Sequence, residues 1–345
     1  MPRARWIHSP GRDAALAFCW VPFAVAAHRA VDDPSAIATV LTATFALSFA
    51  HQPLTLPIVY GDPEERAARR RLYTWCPVVF LAAAVGGLAL SVATVAIVAG
   101  LWNVEHTLMQ RFGITRIYGR KAGETDAAGA RQEKLLLISW LVFAATWAAA
   151  AEGTEASVRR LPLGEVNKEG LGILADLRTV AQWLVPAVAL VAVALTVQWA
   201  RAEARRWRDG GGNPAKLLYL GATAALIGLM LVDPVAGFVG YIGAHAVEYF
   251  VIVHTSLANR WTVEGSGGAM GSLMRTPGGR GRFLAGYALA MVGLIVGLRA
   301  FGTPRLYLIT VLTLGGLHVL YDGFVWKLRR PQVAAGLVTA SASAA

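Results

Sequence analysis

Residues 305–330 read RLYLITVLTLGGLHVLYDGFVWKLRR. The run is apolar enough for lipid and closes on Lys327, Arg329 and Arg330. Inside it stand His318 and Asp322, four residues apart and therefore on one helical face. A charged side chain at the centre of a membrane helix costs about 2.5–3.5 kcal/mol on insertion scales, so such a pair is retained for a reason and needs partners.

Working outward, 56% of the 345 residues are hydrophobic and only 15% are charged, against about 25% charged in soluble domains. The mean hydropathy is +0.50. An all-α, polytopic helix bundle in the inner (cytoplasmic) membrane is expected. Apolar windows predict about ten transmembrane helices, at 14–31, 36–60, 73–87, 89–114, 134–152, 178–200, 216–232, 235–257, 283–300 and 305–326. The third and fourth form one apolar run, divided near Gly86 and Gly87. The first is read as a retained helix, not a cleaved signal. Residues 1–330 make a single transmembrane domain, and 331–345 a disordered tail.

With both termini cytoplasmic, the inner segments hold 25 of the 32 Lys and Arg residues, the bias expected of inner loops. The same bias accounts for the net charge of +11 without nucleic acid. The two cysteines, Cys19 and Cys76, lie in apolar segments, which excludes a disulfide framework or a thiolate metal site. The stretch 153–177 has room for a short surface helix. The Gly-rich stretch 258–282 reads as a mobile linker, its glycines lacking a phosphate-binding spacing. The lack of an internal repeat counts against an inverted-repeat transporter.

Five histidines, His51, His106, His245, His254 and His318, fall on the second, fourth, eighth and tenth predicted spans, in their inner halves. Glu248 lies three residues after His245, Asp322 four after His318, and Gln110 four after His106. Imidazole with carboxylate is the donor set of iron, zinc and manganese, and helix-bundle metal sites draw such groups from facing helices. The metal ligands are therefore taken as His51, His106, His245, Glu248, His318 and Asp322. Glu248 and Asp322 double as the catalytic carboxylates. Gln110, His254, Tyr249 and Tyr321 are placed behind the ligands, where they would orient them. His8 and His28 are assigned structural or surface roles. Trp102 and the basic run Arg116–Lys121 are read as an interfacial belt, with lipid headgroup binding as the sharper alternative for that run.

The segments WNVEHTLMQRFGITRIYGRKAG (102–123), HAVEYFVIVH (245–254) and HVLYDGFVWKLRR (318–330) resemble signatures of uncharacterised bacterial multi-pass membrane proteins. The layout is also loosely similar to integral-membrane, histidine-rich non-haem iron enzymes: desaturases, hydroxylases and carotene-cleaving oxygenases. It departs from the desaturases in lacking their HxxxH and HxxHH boxes, so the resemblance transfers no residue roles. It implies membrane helices converging on a cytoplasmic-side His/carboxylate site.

The expected function is a membrane-embedded non-haem iron oxygenase or oxidase, mono- or di-iron, acting on a lipophilic substrate. Membrane lipids surround it, and basic inner loops would suit an acidic cytosolic electron donor. The alternatives are a zinc-dependent lipid hydrolase, a haem-binding protein and a proton-coupled transporter.

Overall fold

Helix follows helix with short connections in the computed structural model, which describes residues 4–161, 165–261, 267–328, 333–334 and 337–338. Among the described residues there is no strand. The helices in chain order are α1 (Pro10–Ala17), α2 (Val21–Ala30), α3 (Pro34–His51), α4 (Thr55–Tyr60), α5 (Pro63–Ala68), α6 (Arg70–Leu90), α7 (Val92–Lys121), α8 (Ala127–Ala150), α9 (Glu152–Arg159), α10 (Glu165–Arg208), α11 (Pro214–Val232), α12 (Pro234–Asn259), α13 (Gly268–Arg275), α14 (Gly279–Phe301) and α15 (Pro304–Val325). A 3₁₀ turn, Gln52–Leu54, links α3 to α4 where Pro53 removes a backbone donor.

Nine helical stretches among the described residues are long and apolar enough to cross a membrane. They match the last nine of the ten expected spans, with two corrections. The long apolar run divides at Ser91, not at Gly86 and Gly87. Ser91 adopts extended backbone, and its hydroxyl accepts from the Thr94 N–H at 3.1 Å, so a side-chain cap sets the boundary. The helix expected over 178–200 is the middle of α10, whose 44 residues reach about 66 Å, roughly twice a bilayer core.

The remaining expected span, 14–31, is two helices, α1 and α2, interrupted at residues 18–20. The pair still runs the length of α11. At one end the Arg5 N–H donates to Asn213 Oδ1 at 3.1 Å, beside the start of α11. At the other, His28 Nδ1 lies 2.7 Å from Asp233 Oδ2, at its end. One long helix was expected because hydropathy counts side chains and does not see the break.

The chain forms two compact units. The first contains the residues up to Phe45 together with Val104–Glu248; the second contains Ala46–Asn103 and the chain from Tyr249. In the first, α10 packs along α8, and Leu108, Leu137 and Leu220 join α7, α8 and α11 in one buried cluster. Asp13 anchors the N-terminal segment by accepting from the backbone N–H groups of Ile7 and His8 at 2.6 and 3.0 Å. Burial opposes ionisation of this carboxyl, yet the His8 side chain and these N–H groups hold it below its ordinary value.

Also in the first unit, α2 lies against α12 at Gly240 and Gly243. A Cβ at Gly243 would come within 2.4 Å of the Phe23 ring, so glycine is required for this approach. Gly243→Ala is expected to destabilise the protein by about 1–3 kcal/mol through overpacking. Phe23→Ala in the same chain should return part of that loss, and thermal unfolding of the single and double variants measures it.

In the second unit, Leu54, Ile58, Tyr249, Leu317, Tyr321 and Val325 are among the residues of one buried core. Here α15 packs on α4 and α6, and Gly316 admits the Phe80 ring. Within the stretch 258–282 the described residues include α13, entered through Gly267 and Gly268 at φ +74° and +52°, values that favour glycine. Residues 262–266 and most of the tail expected to be disordered lie outside the described residues. The stretch 153–177 holds most of α9 and the start of α10.

Candidate metal centre

The second unit brings His51, His318 and Asp322 together. His51 ends α3, and Thr55 follows it by one turn at the start of α4. His318 and Asp322 present one face of α15, and Tyr249 reaches the group from α12. His51, Thr55, Tyr249 and His318 are at most 2% exposed, and Asp322 is 8% exposed. The two imidazoles meet edge to face, with their Nε2 atoms 3.2 Å apart.

Thr55 Oγ1 is the hub of the cluster. It lies 2.9 Å from His318 Nδ1, 2.9 Å from Asp322 Oδ1 and 2.6 Å from the Tyr249 hydroxyl. Tyr249 also donates to Asp322 Oδ1 at 3.1 Å. With Asp322 ionised, proton counting gives one tautomer. An ionised carboxylate only accepts, and threonine has a single hydrogen. With that hydrogen donated to Asp322, Thr55 would accept from His318, whose proton would sit on Nδ1. The Nε2 of His318 would then present a lone pair toward His51. Asp322 Oδ2 lies 3.7 Å from the same Nδ1. Asp322 thus stands behind His318, in the orienting position typical of carboxylates that support a metal-bound histidine.

The first unit holds a second histidine pair. His106 on α7 and His245 on α12 stack edge to face with ring centroids 5.1 Å apart, both buried. Gln110 donates from Nε2 to the His245 carbonyl at 3.1 Å and to Glu248 Oε2 at 3.2 Å. The other oxygen of Glu248 is 2.9 Å from the Arg111 guanidinium and accepts from the Tyr219 hydroxyl at 2.9 Å. Arg111 also donates to Thr223 Oγ1 at 3.0 Å and is fully buried. Glu248 therefore has a cation and two neutral donors on its carboxylate. This environment answers its charge internally.

The other expected residues fall elsewhere. His254 is exposed on α12. Tyr321 turns away from Asp322: its hydroxyl is 2.9 Å from that of Tyr60, and its ring meets Tyr73 edge to face. Trp102 stacks on Phe80. Arg116, read as part of an interfacial belt, is instead buried on Glu133 at 2.8 Å.

Thr55, Tyr219 and the pairing of Arg111 with Glu248 escaped the sequence reading. For Thr55 a signal existed: it follows His51 by four residues, as Asp322 follows His318. Pro53 between them obscured the helical phase.

The donor chemistry fits a borderline metal. Metal–nitrogen bonds of about 2.0–2.1 Å bring two imidazole nitrogens on one ion to roughly 3–3.4 Å, and the observed 3.2 Å falls inside that range. A haem held between His51 and His318 would need about 4 Å across the iron, judged from the same bond lengths. Fold and side chains define an all-α protein with membrane-length apolar helices and buried imidazole clusters. Set against protein-family models, curated proteins and solved structures, the chain matches none.

Proposed function

We propose that the chain is a multi-pass protein of the cytoplasmic membrane whose His51 and His318 hold an iron ion for oxidation of a lipophilic substrate. The observation that carries this reading is the buried Nε2 pair at 3.2 Å, with Thr55 Oγ1 2.9 Å from the Nδ1 of His318. Iron on two imidazole donors keeps open positions at which oxygen can be activated. Asp322, acting through Thr55, orients His318. The group is buried in the apolar core of the second unit, which suits a lipid-soluble substrate. Glu248, neutralised by Arg111, takes no catalytic part.

The topology supports both ends inside. The nine apolar helices, together with α1 and α2 running alongside α11, give ten passages. An inner N-terminus agrees with Arg5, whose guanidinium donates to the Lys121 carbonyl at 2.6 Å, at the basic end of α7. Basic inner loops would suit an acidic cytosolic electron donor.

A second reading rests on the same contact. An N–H on His51 Nε2 donating to His318 Nε2 would make a metal-free imidazole pair for proton transfer. Metal analysis with an absorption spectrum of the purified protein separates the readings. Iron without a Soret band is expected. Zinc alone would favour a hydrolase, a Soret band haem, and a metal-free protein would refute the metal centre and leave the proton-transfer pair.

A further inference from the structure

A groove of about 460 Å³ opens between the start of α8 and the end of α10, in the first unit and apart from both histidine pairs. Gln132 and Gln198 line it with Arg131 and Arg206 at the polar end of the two helices, and Leu135 and Leu195 continue it toward their apolar middles. Resting on the membrane reading above, we infer that this groove binds an anionic phospholipid, with its phosphate at Arg131 and the amides, Arg206 being held by Glu203 and Asp126, and an acyl chain over the leucines.

Charge supports this occupant. Arg131 lines the groove, and Lys134, Arg201, Arg205 and Arg208 are exposed on the same two helices. Two acids near these helix ends are used inside: Glu133 and Glu203 are buried on Lys216 at 2.6 and 3.0 Å. The surface left to these helix ends is strongly basic. Asp126 is the one carboxylate lining the groove. It already accepts from the Gly129 N–H and lies 3.7 Å from Arg206, so its charge is offset. Basic pockets between membrane helices on the cytoplasmic side recognise anionic headgroups in this way. The basic run at the end of α7 does not serve, because Arg116 is spent on Glu133 and Glu124.

The test uses the full chain in detergent, titrated with phosphatidylglycerol, phosphatidylcholine or inorganic phosphate, and read by native mass spectrometry and thermal shift. Phosphatidylglycerol should bind on the order of tenfold more tightly than phosphatidylcholine, since each basic group near a lipid contributes about fivefold. R131Q/Q198L should lose that preference without a change in lipid-free melting temperature. Equal binding of the two lipids, or an unchanged preference in the double variant, overturns the site. So does a shift that phosphate alone reproduces in full. Retention of the chain in carbonate-washed membranes tests the membrane reading separately.

Discussion

His318→Ala is expected to abolish metal binding, and His51→Ala to do the same, while His28→Ala should leave the metal content unchanged. Each of the first two variants removes one nitrogen of the Nε2 pair. His28 instead faces Asp233 at the far end of α11, 70% exposed. Elemental analysis of the three purified variants gives the result directly, and equal metal in all three would refute the ligand assignment. Thr55 supplies the finer comparison. Thr55→Val removes the hydroxyl that takes the His318 Nδ1 proton, and it leaves Asp322 facing a methyl group. The expected loss of metal affinity is about 10–100-fold, the usual cost of removing a group that orients a ligand. Thr55→Ser keeps the oxygen and should keep the affinity. Nitrogen NMR of labelled histidine should show a proton on His318 Nδ1 in wild type and the serine variant but a mixture in the valine variant. A merely destabilising substitution would leave that tautomer in place.

The helices were legible in sequence because burial in lipid and burial in protein ask for the same apolar windows. Nine stretches were recoverable within a few residues at most boundaries. Two of the three departures have one cause. Ser91 and residues 18–20 interrupt apolar runs through backbone caps and turns, which hydropathy does not weigh. The functional groups were legible in part. His318 with Asp322, and His245 with Glu248, announced themselves as ionisable pairs at helical spacing, because polar atoms in apolar helices are rare. What each pair does was hidden, since it depends on helices distant in sequence. Thr55 arrives beside His318 from 263 residues away, and Arg111 beside Glu248 from a helix whose end read as a basic belt. A neutral threonine in an apolar stretch carries no sequence signal comparable to that of a histidine. It nonetheless takes up the Nδ1 side of His318, leaving Nε2 toward His51.

Lys216→Met produces the largest loss of stability. Lys216 is fully buried at the start of α11. Its ammonium lies 2.8 Å from Glu124, 2.6 Å from Glu133 and 3.0 Å from Glu203. Arg116 is 2.8 Å from Glu133, and Arg206 is 3.0 Å from Glu203. Three cations thus answer three buried glutamates. The connection after α7 and helices α8, α10 and α11 all contribute, so the cluster ties together the same end of several helices. Removing the lysine leaves more buried negative charge than the arginines neutralise. Breaking a buried ion pair by deleting one partner typically costs about 3–5 kcal/mol, far more than forming the pair contributes over a hydrophobic replacement. The double variant Lys216→Met/Glu133→Gln removes one charge of each sign and should unfold at a higher temperature than Lys216→Met alone. If the single variant melts with wild type, the network carries no net stability. If the double variant is no better than the single, the loss comes from packing and not from stranded charge.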